Sequence, residues 1–430
     1  MRKLLYIDSS YSLSQLRDRA LDRVLHVRFL DGYFDKVWSA HPVDTHPSLT
    51  KDVAAIGSPL FTSIANNHIF VRGRYGRFRV LRRLAPLNAL FALLSFIRRL
   101  IRLARTEGIK TIRAGDPLLC GLIGVITAKA TGAHLVVRIN GDHDMIRANT
   151  GRPIMPSLFR LSVIENWVER AVLKRADWII APSANYGEFA VRKGANPKCV
   201  TVVRYGNLID GRHITPPKLR EPVGDPSFLA RLKERHWMVH IGRLHEIKHA
   251  EDCYEVLKLM AEKDALGEPN KKFNVGLLMI GDGPLREKLT QRAEADGLND
   301  HLFLTGNLDQ PTLARALPYC KIVLSPLTGR SLAEAAYAAL PIVAYDLDWQ
   351  GELVKSNLTG FLVPARDVYA MAEAASKLFA DPVLAGKMGK AARTQAQDLL
   401  SPDEQTRREI ELYQRLDSTC SNDNEVNADT

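Results

Sequence analysis

The chain has 430 residues and a formal net charge of +11, and apolar residues make up 46% of it and charged residues 25%. This length predicts two or three domains, and this composition excludes a wholly disordered chain and a collagen-like chain. Five scattered cysteines without a C-x-x-C pair argue against a disulfide scaffold and a cysteine-based zinc site, and they favour a reducing, cytoplasmic location.

The charge is distributed unevenly along the chain. Residues 1–215 carry 33 Lys and Arg against 16 Asp and Glu, a net charge of +17, whereas the remainder carries 26 against 32, a net charge of −6. This asymmetry predicts that the first half meets an anionic partner, either a membrane surface or a nucleic acid.

Strand-like runs alternate with helical patterns in the first half. The run at 3–8 is too short for the apolar core of a signal peptide and predicts a first strand. Further strands are predicted at 36–42, 111–115, 134–140, 178–183 and 200–207, with helices at 117–131 and 160–174 among the connections. This alternation is typical of a doubly wound parallel sheet.

An arginine-rich segment surrounds the longest apolar run, residues 87–97, which is shorter than the roughly 20 residues that a membrane-spanning helix needs. No acidic residue occurs in 71–106. The arginines are Arg72, Arg74, Arg77, Arg79, Arg82, Arg83, Arg98, Arg99, Arg102 and Arg105. The pattern predicts peripheral association with an anionic membrane, chiefly through Arg72 to Arg83 with Arg98 and Arg99. The alternative is a buried helix whose arginines form its solvated ends. Nucleic acid is a less favoured partner, because the segment contains no recognisable nucleic-acid-binding motif.

The second half repeats the strand and helix alternation after a proline-containing linker at 214–226. Strands are predicted at 237–242, 275–281, 302–306, 321–326 and 341–346, and helices begin at 368, 382 and 402. We therefore predict two Rossmann-like domains, 1–213 and 227–398, facing a central cleft. A C-terminal helix at 399–417 and a disordered tail at 418–430 complete the predicted organisation.

Two cations follow the predicted strand at 237–242. Gly242 and Arg243 stand at its end, and Lys248 comes five residues after Arg243. A guanidinium and an ammonium facing one anion suit a diphosphate whose charge grows as its bond to a sugar breaks. The alternative is a pair of solvated surface cations.

A glycine-containing loop leads into an alanine-rich helix after the predicted strand at 321–326. Amides of Gly329, Arg330 and Ser331 at the helix start are candidates for binding an anion. Glu334, one turn later, is a candidate acceptor for a pair of sugar hydroxyls, unless it only compensates the helix dipole.

The sequence resembles the donor domain of retaining, family-4-type (group 1) glycosyltransferases of the GT-B fold. The resemblance lies in the segments GRLHEIK, IGDGPLREKL, FLTGN, SLAEAAYAALPIVAYD and GFLVP between residues 237 and 364. It implies that Arg243 and Lys248 bind a nucleotide diphosphate, Glu334 the ribose, and residues 328–331 the donor sugar and phosphates. Pro326 departs from the family, which usually carries a glutamate eight positions before the one matching Glu334.

The resemblance extends less closely into the first half, through the turn NGDHD. Asn140 stands where many relatives carry a histidine, and Asp142 and His143 follow it. These three are candidates for orienting or activating an acceptor hydroxyl. A turn with helix-capping aspartates is the alternative, and adjacent residues seldom supply three ligands to one metal. Arg204, in the segment RYGN, is a candidate for additional charge on the donor diphosphate.

Together these features predict a glycosyltransferase of polysaccharide or glycolipid biosynthesis at the cytoplasmic membrane face. It would move a hexose from a UDP- or GDP-linked sugar to a lipid-linked or polysaccharide acceptor, without a metal or nucleic acid. Two alternatives stay open, a nucleotide-sugar 2-epimerase of related fold and a catalytically inactive membrane-bound scaffold. The arginine-rich segment argues against the epimerase, and Pro326 is the support for the scaffold.

Overall fold

The computed structural model describes residues 1–44, 56–215, 226–265 and 274–426. The chain forms two compact units, Met1–Arg204 together with Asp403–Thr430, and Tyr205–Pro402. Each unit has its own sheet, as the repeated alternation of strands and helices predicted. Most of the predicted linker, residues 216–225, lies outside the described residues.

The first unit contains an eight-stranded sheet within the described residues, in the order β3-β4-β2-β1-β5-β6-β7-β8. Its strands are β1 (Lys3–Ile7), β2 (Lys36–His41), β3 (Leu60–Ala65), β4 (His68–Arg72), β5 (Thr111–Ala114), β6 (His134–Arg138), β7 (Trp178–Ala181) and β8 (Val200–Val202). All neighbours pair in parallel except β3 and β4. The strands predicted in this half are confirmed, except that the strand predicted at 200–207 ends at Val202 and a 3₁₀ turn, Tyr205–Leu208, follows it.

The β3–β4 hairpin is the part of this sheet that the sequence analysis missed. The two strands pair antiparallel around Asn66 and Asn67, with Ala65 opposite His68. A two-residue loop of asparagines between β-branched and aromatic residues is a hairpin signal, so the information was present in the sequence.

The helices of the first unit connect its strands. They are α1 (Leu13–Asp18), α2 (Asp22–His26), α3 (Ala85–Glu107), α4 (Leu119–Thr131), α5 (His143–Thr150), α6 (Ser162–Leu173) and α7 (Ala184–Arg192). Helix α3 contains the apolar run and ends at Gly108, whose φ of 64° suits glycine. Its buried residues, including Phe96 and Leu100, pack into the core with Leu5 and Ile112 of the sheet.

The second unit contains a six-stranded sheet within the described residues, in the order β11-β10-β9-β12-β13-β14, with parallel pairs throughout. Its strands are β9 (His236–Ile241), β10 (Val275–Ile280), β11 (Leu302–Gly306), β12 (Cys320–Ser325), β13 (Ile342–Tyr345) and β14 (Gly360–Val363). Its helices are α8 (Gly211–Ile214), α9 (Pro226–Leu232), α10 (Ala250–Ala265), α11 (Arg286–Ala295), α12 (Gln310–Ala316), α13 (Arg330–Tyr337), α14 (Gln350–Leu353), α15 (Val368–Ala380) and α16 (Pro382–Leu399). The five strands predicted here are confirmed.

The boundary between the units comes earlier than the predicted end of the first domain at residue 213. The Tyr205 ring packs at a tilt against that of Trp349 with centroids 5.5 Å apart, and Ile209 is buried in the second core. The ring Nε2 of His213 lies 2.8 Å from Gln310 Oε1. These contacts attach the segment after Arg204 to the second unit, which corrects the predicted boundary.

The last helix, α17 (Pro402–Val426), returns the chain to the first unit. Its Leu412 and Tyr413 pack with Leu4 of the sheet, and Glu409 forms a buried ion pair with Arg113 on β5. The helix continues to Val426 because no Gly or Pro interrupts it. The predicted disordered tail from 418 is therefore corrected for 418–426, and 427–430 lie outside the described residues.

Candidate functional site

The second sheet reverses its strand order between β9 and β12. The chain moves outward through β10 and β11 on one side, and through β13 and β14 on the other. Ligands of such sheets bind at the carboxyl ends of the strands on either side of this reversal. Gly242 and Arg243 follow β9 there, and the loop 326–329 follows β12. The two predicted donor-binding motifs therefore meet at the position that the topology favours.

Close backbone packing explains the glycines around Arg243. Gly281 has a φ of 140°, and a Cβ there would lie 1.9 Å from the carbonyl oxygen of Gly242. A Cβ on Gly283 would lie 2.3 Å from the carbonyl oxygen of Leu244. The turn after β10 therefore supports the loop after β9 from directly beside it. Its glycines are required by this packing, whatever the loop binds.

Arg243 and Lys248 form a cationic pair at this edge of the sheet. Arg243 is exposed, and Lys248 ends a short 3₁₀ turn, Glu246–Lys248, where it is half-buried. Among the described residues neither side chain forms a hydrogen bond or a close ion pair. Burial and the Arg243 guanidinium hold the pKa of Lys248 below its ordinary value, while the Asp348 carboxylate acts in the opposite direction. An anion bound here would relieve the repulsion between the two cations.

Helix α13 begins beside the same loop. The Ser331 hydroxyl donates to the Ile241 carbonyl at 2.8 Å, which fixes the helix start against the end of β9. No side chain caps the first amides of α13, and a Cβ on Gly329 would meet nothing within 4 Å. Arg330 Nε donates to the buried Glu334 at 3.0 Å. The structure thus brings Gly329, Arg330, Ser331 and Glu334 together, with Glu334 already holding Arg330.

Two residues that the sequence analysis did not identify hold the loop after β12. Gln350 Nε2 donates to the Pro326 carbonyl at 2.7 Å, and Ser325 Oγ donates to Gln350 Oε1 at 2.7 Å. Trp349 Nε1 donates to the Thr328 carbonyl at 3.3 Å. Both Trp349 and Gln350 are buried. A Trp-Gln pair in the connection that follows β13, at the same sheet edge, was the available signal.

The first sheet has a corresponding reversal between β1 and β5. Asp8 follows β1 and Asp116 follows β5, and both carboxylates are buried. Asp8 pairs with Arg28 at 3.0 Å. Asp116 accepts from the amides of Leu118 at 2.8 Å and Cys120 at 3.2 Å, which makes it a cap for α4. Burial raises the pKa of Asp116. The sequence analysis did not single out Asp8.

The turn that contains Asn140, Asp142 and His143 follows β6 at the same edge. Asp142 caps α5 by accepting from the amides of Asp144 and Met145, each at 3.0 Å, which confirms the capping alternative for this residue. His143 is 2% exposed, and its ring bonds Glu169 through Nδ1 and Asn140 Oδ1 through Nε2, at 3.0 Å for Asn140. Only Asn140 of the three is exposed. The acceptor role of this turn stays a prediction, and Asn140 is the most exposed of its three candidate residues.

Buried charges anchor that turn to α6. Arg147 donates to Glu165 at 3.0 Å and to Glu169 at 2.6 Å, and both carboxylates are fully buried. Burial by itself raises the pKa of Glu169, but the hydrogen bonds and charges of His143 and Arg147 outweigh it, so the pKa is lowered. His143 therefore belongs to a charged network that holds the turn in place.

The predicted membrane arginines fall into two groups. Arg72 pairs with the buried Asp44, which gives Arg72 a structural role, and its predicted contact with a membrane stays a prediction. Arg74 is partly buried. Arg79, Arg82, Arg83, Arg98 and Arg99 are exposed and Arg77 is half-buried, and none of these six forms an ion pair among the described residues. Arg204, the remaining predicted cation of this unit, is partly buried, and its amide donates to Gln405 Oε1 at 2.8 Å.

Apolar side chains are exposed beside these arginines. On and before α3 they are Val80, Leu84, Leu87, Leu90, Phe91 and Leu94, and on and before α6 they are Leu158, Leu161, Val163, Ile164 and Trp167. Trp167 is 69% exposed. Helices α3 and α6 both lead from the carboxyl end of one parallel strand to the start of the next, so their first turns lie at one edge of the sheet. In the described part of the chain, no helix has both the length and the apolar character for crossing a bilayer.

Two family models match the chain. The model for glycosyl transferases group 1 matches residues 227–395, and the model for the glycosyl transferase 4-like domain matches residues 67–206. The first match covers the β9 to α16 region with the cationic pair, and the second covers most of the sheet in the first unit.

Curated proteins that are similar in sequence are glycosyltransferases by name. The poly(ribitol-phosphate) alpha-N-acetylglucosaminyltransferase of Staphylococcus aureus (strain COL) is 28% identical over 159 residues, 36% of this chain and 30% of that protein. The phosphatidyl-myo-inositol mannosyltransferase of Mycobacterium leprae (strain TN) is 34% identical over 116 residues, 26% of this chain and 30% of that protein. The chain spans less than half the length of the first curated relatives that it matches.

The solved structure of Anabaena Alr3699/HepE in complex with UDP-glucose aligns with 97% of this chain and 100% of that chain, with a TM-score of 0.68 and 16% identity. At that identity the likeness concerns the fold, and it confirms the predicted GT-B architecture of two parallel-sheet α/β domains. With both family models matched in order along a chain of this fold, the chain belongs to the group 1 glycosyltransferase family of GT-B proteins.

Proposed function

We propose that this chain transfers a sugar from a nucleotide-sugar donor to a lipid-linked glycan at a membrane surface. The observation that carries the proposal is the cationic pair of Arg243 and Lys248, which lacks a close protein anion at the strand reversal of the second sheet. A nucleotide diphosphate supplies the missing charge. Its negative charge grows in the transition state. Cations that are already in place therefore stabilise the transition state more than they stabilise the bound donor, and this accelerates the reaction.

The donor is proposed to be a UDP- or GDP-linked hexose or N-acetylhexosamine. The Anabaena neighbour was solved with UDP-glucose, and the two relatives named above transfer N-acetylglucosamine and mannose according to their names. In this proposal the uncapped amides at Gly329 to Ser331 contact the donor phosphates or sugar. Glu334 would release the hydrogen bond that it accepts from Arg330 and would accept hydrogen bonds from the ribose hydroxyls instead. Arg243 and Lys248 stabilise the leaving group, so the reaction needs no metal.

The acceptor is proposed to be bound by the first unit, close to Asn140. Exposed apolar residues on α3 and α6, next to arginines without ion pairs, support attachment to an anionic membrane face. The acceptor hydroxyl attacks the anomeric carbon as the bond from that carbon to the diphosphate breaks. The hydroxyl proton passes to the departing nucleoside diphosphate or to solvent. We propose retention of the anomeric configuration, as the family resemblance implies.

The test is incubation of the purified chain with a panel of nucleotide sugars, with and without lipid extract containing glycolipids. The expected result is nucleotide release that depends on lipid, with the mass of one glycosyl group added to a lipid and an α-anomeric product by NMR from an α-linked donor. Conversion of the sugar with the nucleotide still attached would favour the epimerase. Absence of donor binding, measured by calorimetry, would favour the inactive scaffold.

A further inference from the structure

A pocket of about 570 Å³ opens on the outer side of α3 in the first unit. Arg77, Arg98, Arg99 and Arg102 line it together with Phe78 and Phe91. Its rim also includes the residues just before β3, the edge strand of the sheet. No contact in the candidate sites described above explains why four guanidinium groups surround one cavity.

Two of the four arginines contact aromatic rings, and neither contact neutralises their charge. The Arg77 guanidinium lies 5.3 Å from the centroid of the Phe78 ring, and the Arg99 guanidinium lies 4.9 Å from that of Phe61. None of the four forms an ion pair within the described residues. Cation–π contacts orient a guanidinium without neutralising it, so the pocket keeps its positive charge. Planar guanidinium groups that surround a cavity suit the oxygens of a phosphate or diphosphate.

One face of α3 changes chemistry along its length. Leu84, at the cap of α3, and Leu87, Phe91 and Leu94 on the helix follow each other at spacings of three and four residues, and Arg98 and Arg102 continue the same stripe. The leucines and Phe91 are exposed, and Phe91 packs edge-on against Phe78 with centroids 5.7 Å apart. The apolar part, from 84 to 94, is roughly 15 Å long at 1.5 Å per residue. The stripe is therefore apolar at one end and cationic at the other.

We propose that this pocket binds the phosphate or diphosphate of a single long-chain lipid, with the chain lying along the apolar part of α3. This inference rests on the proposed function, and it identifies the bound lipid as the carrier of the acceptor glycan. The stripe matches such a lipid in the sequence of its parts, because the arginines would face the anionic headgroup and the apolar side chains that extend away from them would face the hydrocarbon chain. A nucleic acid would leave the apolar stripe without a partner.

The position of the pocket in the sheet fits a glycan carrier. The pocket lies beside the start of β3, and β4 and β2 separate β3 from β1. Three strand spacings of about 4.8 Å give roughly 14 Å between the pocket side and the reversal at β1 and β5. With the lipid phosphate held in the pocket, the attached glycan would span this distance, and its far end would reach the carboxyl ends of β1 and β5.

The test compares two sets of phosphatidylcholine vesicles, each containing an anionic lipid in the amount that gives both sets the same surface charge. One set contains a polyprenyl phosphate and the other contains phosphatidylglycerol. The full chain is expected to bind the first set at least about tenfold more tightly, since headgroup-specific bonds add to the general attraction. Equal affinity for both sets would overturn the proposal and leave only unspecific charge attraction. Equal competition by inorganic diphosphate, in the absence of a lipid chain, would assign the pocket to a soluble anion and also overturn it.

Variants localise the effect to the pocket. The double variant Arg98→Gln with Arg102→Gln should bind polyprenyl phosphate vesicles only about one to three times as tightly as phosphatidylglycerol vesicles. Arg82→Gln with Arg83→Gln makes the same charge change outside the pocket, and should weaken binding to both vesicle sets while keeping their ratio. Ser95→Phe fills the pocket without changing charge and should also remove the preference. The same ratio of affinities for the two vesicle sets in all three variants would contradict the assignment of the lipid site to this pocket.

Transfer to a short water-soluble glycan separates this inference from the proposed function. That reaction needs the donor site and no lipid pocket, so it tests sugar transfer independently of the lipid preference. A chain that prefers polyprenyl phosphate yet transfers no sugar would refute the proposed function and keep the lipid site. A chain that transfers sugar without any lipid preference would refute only the lipid site.

Discussion

Replacing Lys248 by methionine removes one charge from the predicted donor site while keeping a side chain of similar length. A hydrogen bond to a charged group contributes about 1.5–3 kcal/mol, which corresponds to a roughly 10- to 150-fold weaker affinity for the nucleoside diphosphate product. The charge of the leaving group grows in the transition state, so kcat should fall further, by about 100- to 1,000-fold.

The same substitution should leave the folded protein as stable as before, or more stable. Burial and Arg243 hold the pKa of Lys248 below 10.5, so its ammonium form is less favourable in the folded protein than in the unfolded chain. By linkage this unfavourable contribution is fully present below the folded pKa, and it disappears as the pH rises above the unfolded pKa. At pH 7, Lys248→Met should therefore keep or raise the free energy of unfolding.

Calorimetric titration with UDP and GDP, steady-state kinetics and thermal unfolding measure the three quantities. Lys263→Met, at an exposed position on α10 of the same unit, is the matched control and should change none of them. A large loss of stability with unchanged nucleotide affinity in Lys248→Met would refute the reasoning, because it would make Lys248 a structural cation.

Three further results are expected. Affinity for a nucleoside diphosphate should decline with rising pH before 10.5 is reached, because the lowered pKa of Lys248 lets its ammonium deprotonate early, and Lys248→Arg should remove this decline in a calorimetric pH series. Glu409→Gln should lower the free energy of unfolding by about 3–5 kcal/mol in urea titrations, because it leaves the buried Arg113 without its charge partner, and a change under 1 kcal/mol would exclude that role for the ion pair. Gly281→Ala should cost about 2–4 kcal/mol, through its φ of 140° and the collision with the Gly242 carbonyl, and a wild-type melting temperature would contradict the packing described for this turn.

The sequence predicted the parts of the fold that depend on local pattern. The strands β10, β12 and β13 are largely apolar and buried, and turn residues follow them, so the local sequence pattern identifies them. The return of α17 to the first unit could not be predicted in this way. It depends on Glu409 meeting Arg113, almost 300 residues earlier in the chain, and no local pattern encodes that pairing.

The candidate site was predictable where neighbours in sequence are neighbours in space. Arg243 and Lys248 are five residues apart on one loop, and their electrostatic coupling follows from that spacing. His143 was a candidate because of its adjacent aspartates, but its ring is bound by Glu169 on another helix. Whether a histidine faces solvent or a buried carboxylate is decided by such distant partners, which a single sequence does not identify.

The pairing of cations separates structural charges from candidate functional ones. Arg28, Arg113 and Arg147 all meet buried carboxylates, so these charges are compensated within the fold. The cations at the two proposed anion sites have no such carboxylate within ion-pair distance among the described residues. Unpaired cations crowded together reduce the stability of the folded protein, and a bound anion restores what their repulsion costs. The fold therefore leaves part of the positive charge of the first half without a protein partner. The proposed lipid phosphate would neutralise that charge where Arg98 and Arg102 line the same cavity.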